Sequence, residues 1–252
     1  MSEIGFTSVA GVTALSQWQR VANTFTAPSK TFEDIKRGNR SWWLPFAITI
    51  VASYILFAAI TFKVGWGQVA DNVLRADSKT EEKLANAPAG TRETALKYTQ
   101  YSIEGGFAAA PLLVLAVTAL GSLGLWGTIN FVFGGKAKFG SIFAVWFFAD
   151  LPRIIKSLLG TVAIFAGGAP ESFNLQNFAP TSVGAFLPQQ ETAKALYVLA
   201  SWLDVTTIWA LVLLGIGTAT VAGVKRSSGY IAVFGWWGLF LLISLGWAAA
   251  FS

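Results

Sequence analysis

The sequence has 252 residues, of which 54% are hydrophobic and only 12% are charged. A soluble globular protein carries about 25% charged residues, so the composition excludes an ordinary soluble domain. The net charge is +5, and its placement along the chain is more informative than its size. Apolar runs reach the ~20 residues that a helix needs to cross a bilayer. The chain is predicted to be an all-α, polytopic integral membrane protein.

Two residue types are missing from the whole sequence, namely cysteine and histidine. Their absence excludes disulfides, thiol redox chemistry, zinc or copper sites of imidazole and thiolate, and Ser-His or Cys-His nucleophile pairs. No phosphate-binding loop of the P-loop form is present. We therefore expect a protein that is not an enzyme, with no catalytic residues, no metal site and no cofactor.

Residues 1–41 form a predicted cytoplasmic segment with short amphipathic helices. Apolar side chains recur near helical spacing at Val9, Val12, Leu15, Trp18, Val21 and Phe25. Pro28 suits the first turn of a second helix, which Gly38 and Asn39 would end. Lys30, Lys36, Arg37 and Arg40 are the predicted basic residues at the membrane surface. These helices are expected either along that surface or packed beneath the bundle.

Residues 42–252 form a predicted five-helix transmembrane domain. Its spans are expected at about 42–62, 107–133, 141–167, 196–223 and 230–251. The first span is not a signal peptide, because no small-residue cleavage site follows it.

The connection at 63–105 is the most polar part of this domain and is predicted to be a helical outer loop. Its six bases balance its six acids, which indicates a solvated surface. Ser78 and Glu81 have capping-box spacing, so a short helix is expected from Ser78. A further helix is expected from Thr91 towards the second span.

Basic residues cluster in the tail and in two short connections, which hold Lys136, Lys138, Lys225 and Arg226. Bases near span ends mark the cytoplasmic side. The N-terminus is thus predicted inside and the C-terminus outside the cell membrane. A nucleic-acid surface is the alternative, but these bases lie at span ends rather than in one patch.

Small residues recur in the second and fourth predicted spans, including Gly121, Gly124, Gly215 and Gly217. Small side chains let helix backbones approach closely in lipid, so tight helix packing is expected. Local loosening of a helix at Gly217 or Gly223 is the alternative.

Charged residues inside predicted spans are the most unusual feature of the sequence. Asp150, Arg153 and Lys156 fall in the third span and Asp204 in the fourth, and their charges sum to zero. A charge near the bilayer centre costs about 2.5–3.5 kcal/mol on insertion scales, so each is expected to find a partner. Pro152 is predicted to break or kink the third span there.

Spacing suggests how these charges pair. Residues three apart are neighbours on a helix, so Asp150 and Arg153 are expected to meet. At ~1.5 Å per residue, Lys156 and Asp204 lie at similar depths in antiparallel spans. The four residues are predicted to form an intramembrane charge network. Pairs that only fix helix register, a functional pocket for a ligand, lipid headgroup or proton, and snorkelling side chains that never meet are its three interpretations.

The two aspartates also suggest an aspartyl intramembrane protease. Such enzymes need a GxGD-type motif, and neither "FFAD" before residue 151 nor "SWLD" before residue 205 provides it.

Three stretches together resemble the Yip domain family in its prokaryotic form. They are "FTAPSKTFEDIKRGNRSWWLPFAI" (25–48), "DLPRIIKSLL" (150–159) and "LDVTTIWALVLLGIG" (203–217). The resemblance covers nearly the whole chain and implies a polytopic membrane protein with a cytoplasmic N-terminus. Eukaryotic members interact with Rab-type GTPases in vesicle trafficking. The "DLYGP"-like pattern of many of those members is not evident here.

Two functions follow as predictions. The first is a non-enzymatic role in membrane organisation, trafficking or partner recruitment, with membrane lipids and a protein at the N-terminal segment as partners and homo-oligomers possible. The second is a small transporter or channel for an ion, lipid or small solute that uses the charge network.

Overall fold

The computed structural model describes residues 14–250, so the predicted apolar positions Val9 and Val12 and the last residue of the fifth span lie outside it. This part of the chain is helical and contains no β-strand. Its α-helices are α1 (Gln17–Thr26), α2 (Pro28–Lys36), α3 (Trp43–Lys63), α4 (Trp66–Arg75), α5 (Ser78–Ala85), α6 (Thr91–Ala108), α7 (Ala110–Gly127), α8 (Phe139–Ala149), α9 (Arg153–Phe165), α10 (Lys194–Trp202), α11 (Val205–Ala222) and α12 (Arg226–Ala250).

Within residues 14–250, four helical segments are long and apolar enough to cross a membrane. They are Trp43–Lys63, Ala110–Val132, Val205–Ala222 and Arg226–Ala250; the second is α7 extended by a π-helical turn, Thr128–Val132. The predicted all-α polytopic class is confirmed. The count of five is approximate, because the third predicted span is not one continuous helix.

The third predicted span, 141–167, consists of two helices, α8 and α9. Between them the chain turns at residues 150–152, where Leu151 N donates to Phe148 O (3.3 Å) and Arg153 N to Asp150 O (3.0 Å). Pro152 lies in this turn and has no N–H to donate, so a regular helix cannot continue through it. Neither half reaches the ~20 residues of a full span.

The fourth predicted span, 196–223, started too early. Its first part is the separate helix α10, and the membrane-length helix α11 begins only at Val205. The break occurs because Asp204 adopts an extended conformation and its carboxylate accepts from Thr207 N, as an N-cap does. Because Asp204 lies among apolar residues in "ASWLDV", hydropathy did not indicate that it is the N-cap of α11.

The outer loop contains α4, α5 and α6. The predicted capping box at Ser78 was wrong, because Asp77 is the N-cap of α5 and its carboxylate accepts from Lys79 N. Helix α6 begins at Thr91 as predicted, and a single residue, Ala109, separates it from α7.

Helix α8 lies at the centre of the bundle, surrounded by α7, α11, α2 and α1. Most of its side chains are buried, including Ile142, Val145 and Phe148, each with no exposed surface. A helix that is apolar on all sides must be enclosed by protein or lipid, and here protein encloses it. This placement carries the turn at residues 150–152 into the interior.

The N-terminal helices belong to the same core. Phe32 and Ile35 of α2 are fully buried and pack with Val145 and Phe148 of α8. Of the two predicted positions for these helices, the structure thus has the packed one. One hydrophobic core therefore contains residues from both sides of the predicted segment boundary at 41/42.

Close helix packing occurs at several of the predicted small residues. A Cβ on Gly215 would overlap the Tyr230 ring, and one on Gly217 would overlap Val145. Gly223 instead ends α11 with φ +71°, a left-handed conformation that glycine adopts without strain.

Candidate functional site

The predicted charged residues lie together at the turn between α8 and α9 and the start of α11. Lys156 Nζ is 3.1 Å from Asp204 Oδ2, and Arg153 Nη1 is 3.3 Å from Asp150 Oδ1. All four side chains therefore have an oppositely charged partner, and the interpretation of snorkelling side chains that never meet does not describe the arrangement.

Asp204 is the most enclosed member of this group, with its side chain 3% exposed. Its Oδ2 accepts from Thr181 Oγ1 at 2.6 Å and forms the ion pair with Lys156, while its Oδ1 accepts from Thr206 Oγ1 (2.6 Å) and Thr207 N (3.0 Å). Three hydrogen-bond donors and one ammonium group thus surround this carboxylate. The carboxylate both begins α11 and neutralises Lys156.

Thr207 connects the two ion pairs. Its Oγ1 lies 3.4 Å from Arg153 Nη2, while its N–H donates to Asp204. Asp150 and Arg153, at 29% and 51% side-chain exposure, form the open end of the group. The predicted network is thus two ion pairs joined through a threonine, buried at one end and accessible at the other.

A polar cluster that sequence reasoning missed lies beside Asp204, where the α9–α10 loop folds back. Asn177 Nδ2 donates to Tyr197 Oη and to Ser201 Oγ (2.8 Å each), and Asn177 Oδ1 accepts from Ser182 Oγ at 2.7 Å. Ser182 and Asp204 also pair as an isolated antiparallel bridge. Only the run of Asn, Ser and Thr in this loop could have indicated it.

Phe178 separates the charged group from an outer cavity. Its ring centroid is 5.3 Å from Lys156 Nζ, and the ring packs so closely on Gly160 that a Cβ there would overlap it. Above this ring is a cavity of about 830 Å³, lined by Phe178, Asn174, Gln189 and other residues of the outer loops. Phe178 thus forms part of the floor of this cavity.

A smaller cleft of about 310 Å³ shares several of these lining residues. Lys194 Nζ and Asp77 Oδ2, both of which line it, are 3.4 Å apart. Partial burial would raise the pKa of Asp77, but the hydrogen bond and charge of Lys194 hold that pKa below its ordinary value. Lys194 thus stabilises the charged form of the Asp77 carboxylate.

A buried ion pair that sequence reasoning also missed holds the N-terminal helices. Arg20 is fully buried, with Nε 3.8 Å from Asp34 Oδ2, Nη1 donating to Asn39 O at 2.7 Å and its guanidinium 4.8 Å from the Phe148 ring centroid. Asp34 in turn accepts from Leu15 N and Asn39 Nδ2. Nothing in the sequence pattern distinguishes Arg20 from the exposed bases of the tail.

The predicted basic residues of the tail divide into two groups. Lys30, Lys36 and Arg37 are exposed on the hairpin of α1 and α2. Arg40 is half-buried and donates from Nε to Ser141 Oγ at 2.9 Å, so it joins the hairpin to the start of α8.

Comparison with known proteins places this architecture in a family. The Yip1 domain model matches residues 22–248. The chain is also similar to "Membrane protein YknW" of Bacillus subtilis (strain 168), with 24% identity over 220 residues, which cover 87% of this chain and 86% of that protein. No solved structure matches significantly. Because the match covers most of the chain and includes the charged group, this membrane protein belongs to the Yip1 domain family.

Proposed function

We propose that this Yip1 family protein is non-enzymatic, and that it recruits a protein partner to the cell membrane through the cytoplasmic face of its α1–α2 hairpin. The observation that carries the proposal is the exposure of Trp18 (67%) together with Lys30, Lys36 and Arg37 on a hairpin whose other side is fixed in the core. Exposed tryptophan and arginine side chains are enriched at protein interfaces, and the neighbouring lysines add positive charge that favours an acidic partner.

The non-enzymatic part of the proposal rests on chemistry. The sequence has no histidine or cysteine, and the carboxylates of the charged group are held by hydroxyl, backbone and cationic donors. The Asp204 carboxylate is a poor candidate for a general base, because three hydrogen bonds and Lys156 already occupy its oxygens and it is 3% exposed.

Affinity purification in native lipid, followed by mass spectrometry of co-purifying protein, tests the recruitment. We expect the wild-type protein to retain a partner in a stoichiometric amount and K36E/R37E to lose it. K136E/K138E is the matched control, because Lys136 and Lys138 are also exposed and lie in a connection predicted to be cytoplasmic.

Deleting the tail would be a poor test, since it would remove Phe32 and Ile35 from the core. Equal partner recovery from the wild type and both double variants would refute the proposal, as would failure of the wild type to retain any protein.

A second candidate function, transport of an ion or small solute, is favoured by one observation. The charged group has an accessible end at Arg153, and the outer cavity lies above Phe178 on its other side. Flux into proteoliposomes that responds to substitution of Lys156 or Asp204, in variants that fold normally, would support this function.

A further inference from the structure

Arg153 is half-exposed although it lies far from either end of the bundle. Helix α8 begins beside the end of α11, since Lys136 N donates to Ala222 O (3.0 Å), and its 11 residues rise ~16 Å before the turn. At the other end of α9, Phe165 lies against Lys63, the last residue of α3, and Arg153 is ~18 Å below it. A hydrocarbon core is ~30 Å thick, so the Arg153 backbone lies within that span, and its guanidinium contacts Thr207 on the first turn of the membrane-length helix α11.

The guanidinium of Arg153 has donor capacity that its neighbours do not use. It carries five N–H donors. Only two long contacts engage it, at 3.3 Å from Nη1 to Asp150 Oδ1 and 3.4 Å from Nη2 to Thr207 Oγ1. The other N–H groups have no partner among residues 14–250, and 51% of the side chain is exposed.

Exposure also makes the open end of the group electropositive. The cationic side chains, Arg153 and Lys156, are 51% and 20% exposed, whereas the aspartates that pair with them are 29% and 3% exposed. Within each ion pair the base is therefore more exposed than its acid, and Arg153 is the most exposed of the four side chains, although the four charges sum to zero. An anion approaching this end meets the guanidinium first.

Exposed apolar side chains flank this position. Val205 (64%) and Ile208 (38%) are on the first turns of α11 beside Thr207, and Leu158 (46%) is on α9. Free guanidinium donors facing hydrocarbon carry a large cost, which an acceptor drawn to them would remove. The planar guanidinium fork binds carboxylate and phosphate bidentately, and of these two phosphate is the group that a phospholipid headgroup carries.

We propose that Arg153 binds a phosphate group inside the bundle, supplied by a phospholipid headgroup drawn sideways past Val205 and Ile208 or by soluble phosphate. The guanidinium uses its free N–H groups for the phosphate oxygens, while Thr207 contacts Nη2 and Asp150 competes with the phosphate for the cation. This site does not involve the α1–α2 hairpin, so it goes beyond the recruitment proposed above.

Intact-protein mass spectrometry after purification in a mild detergent tests the lipid source. We expect the wild type to retain phospholipid and R153Q to retain about tenfold less, a difference of ~1.4 kcal/mol in binding. R75Q is the matched control, because Arg75 is an exposed arginine of the outer loop that pairs with Asp71 outside the site, and we expect it to behave as the wild type.

Inorganic phosphate tests the soluble source. For delipidated protein, an increase in Tm with added phosphate in the wild type but not in R153Q, without phospholipid retention, would assign the site to soluble phosphate. Equal lipid retention and equal phosphate response in the wild type and R153Q would overturn the proposal.

Two further variants keep the test decisive if R153Q does not fold. R153K retains the charge but not the planar fork, so it should retain less lipid or respond less to phosphate than the wild type. D150N removes the competing carboxylate and should bind at least as well as the wild type. Weaker binding by D150N, or unaltered binding by R153K, would contradict the assignment.

Discussion

Lys156 Nζ lies 3.1 Å from Asp204 Oδ2, and this ion pair joins α9 to the start of α11. This ion pair is nearly enclosed and is covered on one side by Phe178. It fixes the relative position of two helices that the chain separates by the whole α9–α10 loop and α10.

Breaking this pair should destabilise the protein. D204N leaves Lys156 without its counter-ion, and removal of one partner of a buried pair costs ~3–5 kcal/mol, of which we expect the lower part because Lys156 is 20% exposed. Thermal unfolding and folded yield in detergent measure the loss. The double variant K156M/D204N should lose less than the two single variants combined, because neither charge is then left alone. Wild-type Tm and yield for D204N would contradict this role.

The two partners of the Arg20–Asp34 pair should differ in their response to substitution. D34A leaves a fully buried guanidinium without a counter-charge and also removes the acceptor for Leu15 N and Asn39 Nδ2. We expect a loss of ~3–5 kcal/mol in unfolding free energy. R20M should cost less, because it loses only the Nη1 hydrogen bond to Asn39 O, Asp34 keeps its hydrogen bonds from Leu15 N and Asn39 Nδ2, and methionine fills similar apolar space.

R20M/D34N should be closer to the wild type than D34A is. Chemical denaturation of the detergent-solubilised protein measures the free energy of unfolding of each variant. A larger loss for R20M than for D34A would contradict this prediction, because the guanidinium would then stabilise the fold more than its contacts indicate.

Two glycines of α12 provide a matched test of helix packing. A Cβ at Gly229 would overlap Gly215 O, a backbone atom that cannot move independently, whereas Gly238 has open space around it. G229A should therefore destabilise the protein by ~1–3 kcal/mol, as overpacking does. G238A should be neutral or slightly stabilising, since alanine favours helix. Similar Tm values for the two variants would mean that α11 and α12 are not in this close contact.

The predicted orientation can be tested with single cysteines, because the natural chain has none. We expect an impermeant maleimide to label K83C in intact cells and K138C only after the membrane is opened, since bases near short connections stay in the cytoplasm. Both side chains are exposed, so each is accessible on its own side. Labelling of K138C alone in intact cells would reverse the topology.

Local pattern was sufficient for much of this fold. The apolar runs predicted the helices at Trp43–Lys63, Ala110–Val132 and Arg226–Ala250 to within a few residues, because membrane length and hydropathy are properties of consecutive residues. Pro152 was identified as a helix breaker because it lacks an N–H wherever it lies. The spacing of Asp150 and Arg153 likewise predicted their contact, because contacts between residues three apart depend only on the local course of the chain.

Other features depended on parts of the chain that are distant in sequence. The start of α11 at Val205 required Thr181 and Lys156 to enclose the Asp204 carboxylate, and these reach it only after the α9–α10 loop has folded back. The burial of Arg20 likewise required Asp34, Asn39 and Phe148 around it.

Composition and hydropathy, which are read residue by residue, are sufficient to predict a hydrophobic helical protein with few charges in its interior. Which of those charges pair, and which remains accessible, depends on how the helices pack in three dimensions. Pair energies depend on distances between helices and on exclusion of solvent, and neither quantity is encoded in any single stretch of the chain.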